Sequence, residues 1–409
     1  MRVANCFGYL EEELFGMNTL KRFSTWLPNW TLFERTEQRA AHSKLRVMLF
    51  IAVPVLLIAA CSRPPEIIGV DNPAKPASSV SEATRHTIFI ASTREASETV
   101  GALYSDKRAL DLGFASVSVS IPPNHLVGEL ERPKRLPPDP STEFAVVDPI
   151  IYSNENLFVR SLNAELAKRP RGSREILFFV HGYNNTTSDS VLRLAQFVED
   201  SGYKGIPVLF DWASAAKLTK YVYDLNSTLV ARPQFEEIGR VLARTNAEGY
   251  DIFAHSMGTF LTMETFVLES AKGNVNRSSR LRNVILASPD IDVDVFRTQL
   301  GLLVDRPDNL FVLLSEDDSA LRVSRRVAGG VPRLGASHAE DLSDLGVVVI
   351  DLSEIDDSSS GSHSKFAGSP EVVQLLGNGL NDNGHFGTNE KATHLGDVLG
   401  SVPIKVYVE

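Results

Sequence analysis

The amino-acid sequence predicts an α/β protein with a mainly parallel central sheet covered by helices on both faces. Two observations predict this class. Short, continuously apolar runs rich in β-branched residues alternate with longer segments whose apolar residues recur at helical spacing. The apolar run 251–254 is also followed at once by a short turn that contains Ser256 and Gly258, and then by a further helical segment. With 409 residues, of which 43% are hydrophobic, the chain is long enough to bury a large core.

The predicted strands begin near residue 87. The run 114–121 alternates apolar and polar side chains, as a half-buried strand does, and Pro122 and Pro123 end it because neither can donate to a ladder. Most of the other runs are almost wholly apolar, as strands buried on both faces are. They are 87–91, 176–180, 206–210, 251–254, 284–287, 310–314 and 347–351.

Helices are predicted at 158–168, 188–200, 234–244 and 257–271. Four residues before or within the first helix, Ile150, Ile151, Leu157 and Phe158, are candidate core anchors. The connection 211–233 is long and carries Trp212. A long insertion after the carboxyl end of a strand is either part of a binding wall or a plain surface excursion, and the sequence favours neither.

The N-terminal part indicates export. Residues 47–60 form an unbroken apolar run behind Lys44 and Arg46, too short to span a bilayer comfortably but typical of a signal peptide. The run ends at Cys61 and resembles the bacterial lipobox, which implies a lipid on Cys61, and Ser62 favours the outer membrane facing the periplasm. The alternatives for residues 47–60 are an uncleaved membrane anchor and a buried core helix.

This interpretation divides the chain into three parts. Residues 1–60 are predicted to be a leader and lipoprotein signal peptide. Either translation starts downstream, at a site such as Met17, or the leader is unusually long. Residues 61–84 are rich in Pro, Ser and Ala and are predicted to be a flexible tether. Residues 85–409 are predicted to form one α/β domain.

Composition excludes several classes of function. The formal net charge of −10, without a basic stripe, predicts no nucleic-acid partner. Two cysteines argue against a disulfide framework and make Cys-x-x-Cys sites impossible. The nine histidines form no metal-binding motif, so no metal and no cofactor are predicted.

The segment 254–258 (Ala-His-Ser-Met-Gly) lies between a predicted strand and a predicted helix. This is the setting of a nucleophile elbow, in which a sharp turn exposes the serine hydroxyl at the carboxyl edge of an α/β-hydrolase sheet. Ser256 is therefore the candidate nucleophile. Small residues are needed two positions to either side; Gly258 meets this demand and Ala254 adds one methyl group. His255 is interpreted as structural.

An acyl-transfer site also needs donors for the developing oxyanion. The backbone amide of Met257, directly after the nucleophile, is one candidate, and the amide of Tyr183, after the 176–180 strand, is the other. We interpret His181, Gly182 and Trp212 as candidate substrate-binding residues. The alternative for His181 and Gly182 is a plain turn that ends the strand.

A serine nucleophile requires a histidine base and a carboxylate that orients it. In this fold the acid follows the nucleophile and the base comes last. Asp318, after the 310–314 strand, and His363, after the 347–351 strand, satisfy this order. The competing acids are Asp317, Asp290 and Asp292. The competing bases are His338 and His385.

Several motifs in order resemble a bacterial family of uncharacterised α/β-hydrolases in the esterase/lipase superfamily. They include FFVHGYNNT at 178–186, AHSMG at 254–258 and SPDID at 288–292. The resemblance spans roughly residues 85–380. It implies Asp318 as the acid, through a Ser-x-x-Asp-x-Ala-Leu pattern, and His363 as the base, through a Gly-His-Ser-Tyr-Phe pattern. Ser362 and Lys365 depart from the latter pattern, which leaves a change in the substrate pocket open.

These observations predict a serine hydrolase that acts on a small-molecule or lipid ester through an acyl-enzyme. Thioesterase and peptidase activity are close variants, since they use the same intermediate. The alternative from a different class is a non-catalytic envelope lipoprotein that uses the fold as a binding or scaffold module.

Overall fold

A central sheet of ten strands is formed by the residues that the computed structural model describes. These residues are 63–275, 279–307, 309–355, 361–381 and 405–407. The strands are β1 (Thr84–Ala96), β2 (Tyr104–Ile121), β3 (Ala145–Tyr152), β4 (Glu175–Val180), β5 (Ile206–Asp211), β6 (Gly249–His255), β7 (Leu281–Ala287), β8 (Leu310–Leu314), β9 (Val348–Asp351) and β10 (Lys405–Tyr407).

The α-helices of the described residues alternate with these strands from β3 onward. They are α1 (Glu155–Ala167), α2 (Thr187–Ser201), α3 (Tyr221–Ala243), α4 (Met257–Ser270), α5 (Val293–Leu302), α6 (Ser319–Val327), α7 (Lys365–Gly368) and α8 (Pro370–Asn381). Short 3-10 helices occupy Ala77–Ser79, Leu218–Lys220, Leu334–Ala336 and Ala339–Leu345.

The sheet is mainly parallel, as the sequence predicts. The strands run parallel from β9 through β8, β7, β6, β4 and β5 to β1. Strands β2 and β3 extend one end in antiparallel fashion, and β10 pairs antiparallel with β9 at the other. Every residue of β4 and of β5 is buried, because helices cover both faces there.

Two apolar layers hold the helices against the sheet. On one face α1, α3, α4 and α5 contribute apolar side chains to a single cluster. On the other face α2, α7 and α8 do the same. This two-faced covering explains why most of the strands read as continuous apolar runs instead of alternating ones.

The order of the strands reverses around β4, which lies between β5 and β6. The chain leaves β4 through α2 to reach β5 on one side, and then crosses through α3 to β6 on the other side. Such a reversal opens a crevice outside the carboxyl ends of the two strands that flank it. The fold therefore predicts a binding site between the ends of β4 and β6.

Some predicted elements differ from the observed ones. Strand β3 occupies a region for which only core anchors were predicted, and Ile150 and Ile151 on it are 52% and 69% exposed. They lie on an edge strand whose outer face is not covered by the described residues. Phe158, in α1, is fully buried as expected.

Helix α3 begins thirteen residues earlier than the predicted helix because it continues through Pro233. Proline lacks the amide hydrogen that would bond to the carbonyl of Leu229 one turn before it. The side chain of Arg232 fills that role, since its Nε donates to the Leu229 oxygen at 3.0 Å. Much of the predicted connection 211–233 is therefore helical.

The segment predicted as a tether, 61–84, differs from that prediction over its described part. Ile67 is fully buried and Ile68 is 6% exposed. The Ile68 amide donates to the Gly101 carbonyl at 2.8 Å, and that of Gly69 donates to the Val146 carbonyl at 2.8 Å. The average composition of the segment conceals this local apolar pair, which docks the chain on the domain.

The predicted leader 1–60 and the predicted lipidation site Cys61 lie outside the described residues. Within the described part of the chain, no helix has the length and apolar character needed to cross a bilayer.

Candidate active site

The crevice between β4 and β6 brings four predicted segments to one edge of the sheet. Ser256 directly follows β6, and His181 directly follows β4. Asp318 follows β8, and His363 follows β9. Because the carboxyl ends of parallel strands meet at the same edge, residues far apart in sequence are neighbours here.

Ser256 occupies the strained turn that an elbow requires. Its backbone lies at φ 52° and ψ −124°, a region that residues other than glycine rarely adopt. The Ser256 amide donates to the Ala287 carbonyl at 2.9 Å, which ties the turn to β7. Gly258 is needed because a Cβ there would lie 2.4 Å from the carbonyl oxygen of His181.

His363 connects the serine to a carboxylate. Its Nε2 lies 3.0 Å from Ser256 Oγ, and its Nδ1 lies 2.7 Å from Asp318 Oδ2. A carboxylate only accepts hydrogen bonds, so Nδ1 carries the hydrogen and Nε2 is left to accept from the serine hydroxyl. This is the tautomer that a general base for Ser256 needs.

Asp318 is fixed by its own position at the start of α6. It is fully buried, and its Oδ1 accepts a hydrogen bond from the Leu321 amide at 2.9 Å. An aspartate at a helix N-cap satisfies an amide that has no partner within the helix. The cap therefore holds one oxygen and turns the other toward His363.

The competing acids are occupied elsewhere. Asp290 pairs with Arg333 at 3.3 Å and accepts from the Tyr221 hydroxyl at 3.0 Å. Asp292 caps α5. Asp317, one residue before Asp318, bonds to Ser315, Ser362 and Lys365.

The competing bases do not enter the site. His338 is 72% exposed at its side chain and pairs with Glu316 at 2.9 Å. Glu316 lies two residues after β8, so His338 is at the carboxyl edge of the sheet, but it is His363 that contacts Ser256 there. His385 lies outside the described residues.

The two predicted oxyanion donors flank Ser256. Met257 is the first residue of α4, where a helix amide lacks an acceptor within the helix. A Cβ on Gly182 would lie 2.8 Å from Cβ of Ser256, so the backbone leading to Tyr183 passes directly beside the nucleophile. Among the described residues, neither the Met257 nor the Tyr183 amide has a hydrogen-bond acceptor.

A buried ion pair holds the loop that carries Tyr183. Arg94 Nε bonds to Asp211 Oδ1 at 2.8 Å, and both side chains are almost fully buried. The same guanidinium donates to the Asn185 carbonyl at 3.0 Å. On the other side of the loop, the Asn184 amide donates to Asp224 Oδ2 at 3.3 Å, and burial raises the pKa of Asp224. Sequence reasoning missed these residues because no local pattern marks them.

His181 and Trp212 do not line a substrate pocket, which corrects their predicted role. His181 is 2% exposed, and Trp212 is fully buried. Their rings stack with centroids 5.0 Å apart, and Trp212 Nε1 donates to the His181 carbonyl at 2.7 Å. Both buried side chains support the turn that follows β4. Gly182, the third predicted substrate-binding residue, adjoins Ser256.

The start of α3 forms a wall beside the Tyr183 loop. The Tyr221 ring lies 5.4 Å from that of Tyr183, and the Tyr183 hydroxyl donates to the Leu218 carbonyl. Part of the long connection thus packs against the loop that carries Tyr183.

His255, which the sequence predicts to be structural, contacts His363 directly. Its Nε2 donates to the carbonyl oxygen of His363 at 3.0 Å, and the two rings lie 4.8 Å apart. Burial, followed by the nearby His363, holds the pKa of His255 well below its usual value. His255 therefore stays neutral and keeps its donor on the His363 backbone.

The chemistry available here is that of an activated serine. Within the described residues, no group of three or more His, Cys, Asp or Glu side chains is placed to hold a metal ion. The site instead combines a serine hydroxyl, a base with a fixed tautomer and two backbone donors, which together suit acyl transfer.

Esterases are among the solved structures to which this chain is similar, at low sequence identity. An esterase from Rhizomucor miehei is 12% identical, with 78% of this chain and 93% of that chain covered and a TM-score of 0.33. Carboxyl esterase 2 from Tuber melanosporum is 12% identical, with 78% and 92% covered and a TM-score of 0.37. No curated protein matches the chain. The fold is shown by the mainly parallel sheet and by the helices that cover both of its faces.

Residues 155–379 match a family described as alpha/beta hydrolase of unknown function (DUF900). The matched region runs from α1 into α8 and contains Ser256, Asp318 and His363. Since it covers more than half of the chain, the protein belongs to this alpha/beta-hydrolase family of unknown function.

Proposed function

We propose that the protein is a serine-dependent carboxylic ester hydrolase. The observation that carries the proposal is the unbroken hydrogen-bonded relay, with 3.0 Å between Ser256 Oγ and His363 Nε2 and 2.7 Å between His363 Nδ1 and Asp318 Oδ2. A chance cluster would not combine these distances with a strained serine at a strand end.

The proposed reaction begins at Ser256. Its Oγ attacks the ester carbonyl carbon while His363 Nε2 takes the hydroxyl proton. Asp318 stabilises the resulting imidazolium without itself taking the proton. The negative charge that develops on the carbonyl oxygen is stabilised by the amides of Met257 and Tyr183.

The second half of the reaction regenerates the serine. The imidazolium of His363 gives its proton to the departing alcohol, which leaves an acyl group on Ser256. Water then attacks that carbonyl carbon while His363 takes one of its protons, and His363 returns this proton to Ser256 Oγ as the carboxylic acid departs. Every step uses side chains and backbone amides of this chain, and water.

An ester panel tests the proposal. We expect the full chain to hydrolyse p-nitrophenyl esters of graded acyl length, and Ser256→Ala to lower kcat by about 10⁴-fold or more. Ser153→Ala is the matched control, since Ser153 is an exposed serine just after the end of β3. Asp318→Asn is expected to cost roughly 10²–10⁴-fold through the wrong histidine tautomer.

Two outcomes bear on the alternatives. Turnover of thioesters or peptides in preference to oxygen esters, still lost in Ser256→Ala, would replace the substrate class and keep the mechanism. Wild-type turnover by folded Ser256→Ala would contradict the proposal, and a folded chain without any acyl turnover would favour a binding module.

A further inference from the structure

Lys365 is a buried lysine that the proposed reaction does not use. Its side chain is 1% exposed, although lysine is almost never buried without partners. Its Nζ donates to Ser315 Oγ at 2.8 Å, to the Leu352 carbonyl at 2.9 Å and to Asp317 Oδ1 at 3.0 Å. The three hydrogens of the ammonium group thus have three acceptors.

Asp317 joins Lys365 to the loop that carries His363. Its Oδ2 accepts from the Ser362 hydroxyl at 2.5 Å, and it also accepts from Ser315. Burial alone would raise the pKa of Asp317, but the hydrogen bonds from Ser315, Ser362 and Lys365 outweigh it, and the pKa is lowered. Asp317 is therefore an anion paired with the ammonium of Lys365.

The pair runs alongside the contact between Asp318 and His363. Asp317 is adjacent in sequence to Asp318, and Ser362 is adjacent to His363. Ser362 has φ 70°, which an L-residue adopts only under constraint, and its hydroxyl bond to Asp317 supplies that constraint. Ser362 and Lys365 are also the two departures from the Gly-His-Ser-Tyr-Phe pattern, and both contact the same carboxylate.

We propose that Lys365 and Asp317 form a charge-compensated positioning pair that aims His363 at Ser256. The proposal rests on the proposed function, because it assigns the pair to the same histidine. Lys365 faces Ser315, Asp317 and the Leu352 carbonyl, so the pair acts on the base and not on the substrate.

The charge of each partner fixes a signed expectation. Without Lys365, the carboxylate of Asp317 is left uncompensated near His363 and favours the protonated imidazole. Without the Asp317 charge, the buried ammonium is left uncompensated and disfavours it. A loss of packing alone would move protonation of His363 in the same direction, or not at all, for both changes.

The other titratable and charged groups around His363 are the same in both cases. Asp318 faces it from the loop after β8, and His255, neutral through its lowered pKa, faces it from the end of β6. Arg193 on α2 and His181 after β4 act on His255 from further away. Neither substitution changes any of these groups, so the opposite signs come from the pair itself.

The test uses Lys365→Met, Asp317→Asn and the double variant in the full chain. The first readout is NMR titration of the His363 imidazole, which requires no turnover. We expect the midpoint to move to higher pH in Lys365→Met, to lower pH in Asp317→Asn and back toward wild type in the double variant. Any other pattern contradicts the pairing.

The second readout is the pH dependence of ester hydrolysis. We expect each single variant to lower kcat about tenfold to a hundredfold with little change in KM, because a misplaced base slows chemistry and not binding. We expect the double variant to recover the wild-type pH profile. Lys134→Met, which replaces an exposed lysine, is the control and should change neither the His363 midpoint nor the pH profile. Asp317 is 47% exposed at its side chain, so Asp317→Asn remains foldable if Lys365→Met is not.

The failure of this inference is distinct from that of the proposed function. If wild type hydrolyses esters through Ser256 while the His363 midpoints stay unmoved, the positioning pair is wrong and the nucleophile stands. If no ester is hydrolysed, the titration still decides whether the pair controls His363.

Discussion

His255 illustrates how a single residue serves the site without touching substrate. It lies within the Ala-His-Ser-Met-Gly turn, where its position follows from the elbow alone. Its ring packs between His363 and Phe366, with both centroids 4.8 Å away. The sequence identified the turn but not this contact, because the partner loop lies more than a hundred residues further along the chain.

The lowered pKa of His255 predicts a pH-dependent stability. In the unfolded chain the imidazole takes up a proton below about pH 6.5, whereas the folded protein resists it. The unfolded state then binds more protons, so stability is fully present above about pH 6.5 and falls below it, by at most about 1.4 kcal/mol per pH unit. We expect the free-energy gap between wild type and His255→Phe to narrow from pH 7.5 to 5.5 in urea unfolding.

His338 provides a control of opposite sign. A hydrogen bond to Glu316 raises its pKa, so its contribution is present at low pH and is lost as the pH rises. The gap between wild type and His338→Gln is therefore expected to widen as the pH falls. A gap for His255→Phe that also widens would show that His255 is protonated in the folded protein.

At the scale of elements, most strands were predictable because burial on both faces leaves a simple record in the sequence. The run at 310–314 coincides with β8, and the run at 176–180 misses β4 by one residue. Strand β3 was not predictable, since an edge strand with exposed Ile150 and Ile151 carries no such record. The length of α3 was also hidden, because a proline normally ends a helix.

The bond between Arg232 and the Leu229 carbonyl predicts how α3 tolerates Pro233. We expect Arg232→Met to destabilise the protein by about 1 kcal/mol, because the Leu229 oxygen loses its donor. In a Pro233→Ala background the new amide supplies the helical bond, so Arg232→Met should then cost less. The double-mutant cycle in urea unfolding measures this difference. If Arg232→Met lowers the free energy of unfolding equally in both backgrounds, the Arg232 side chain does not replace the missing amide of Pro233.

Arg232 also pairs with Glu264 at 3.0 Å, and this pair could mimic the effect. Glu264→Gln is the matched control, since it weakens the ion pair and leaves the Leu229 bond in place. Its cost is expected to be the same in the wild-type and the Pro233→Ala backgrounds.

At the scale of the whole molecule, the fold brings Ser256, Asp318 and His363 together from three strand ends. The sequence predicts this meeting because the candidate nucleophile, acid and base each follow a strand, in the order typical of the fold. The choice between Asp317 and Asp318 was not predictable from position alone; it depends on which carboxylate caps α6. The burial of His181 and Trp212 was not predictable from the sequence either, since histidine and tryptophan are residue types that also line binding pockets.

The docking of Ile67 on the domain shortens the flexible tether that the sequence predicts after Cys61. If Cys61 carries a lipid, as the sequence predicts, five residues separate it from buried Ile67, and the chain between the two reaches about 20 Å at most. The domain would then lie close to the bilayer instead of on a long tether. Metabolic labelling with a fatty-acid analogue, compared with Cys61→Ser, tests the lipid itself.

The most direct test of the central claim is covalent labelling of the intact protein with a fluorophosphonate, followed by mass spectrometry of its peptides. The relay predicts a single adduct on Ser256, absent in Ser256→Ala and strongly slowed in His363→Ala, because the hydroxyl reacts only when the base removes its proton. Folded protein that takes up no probe, or that carries the adduct on another serine, would contradict Ser256 as the nucleophile.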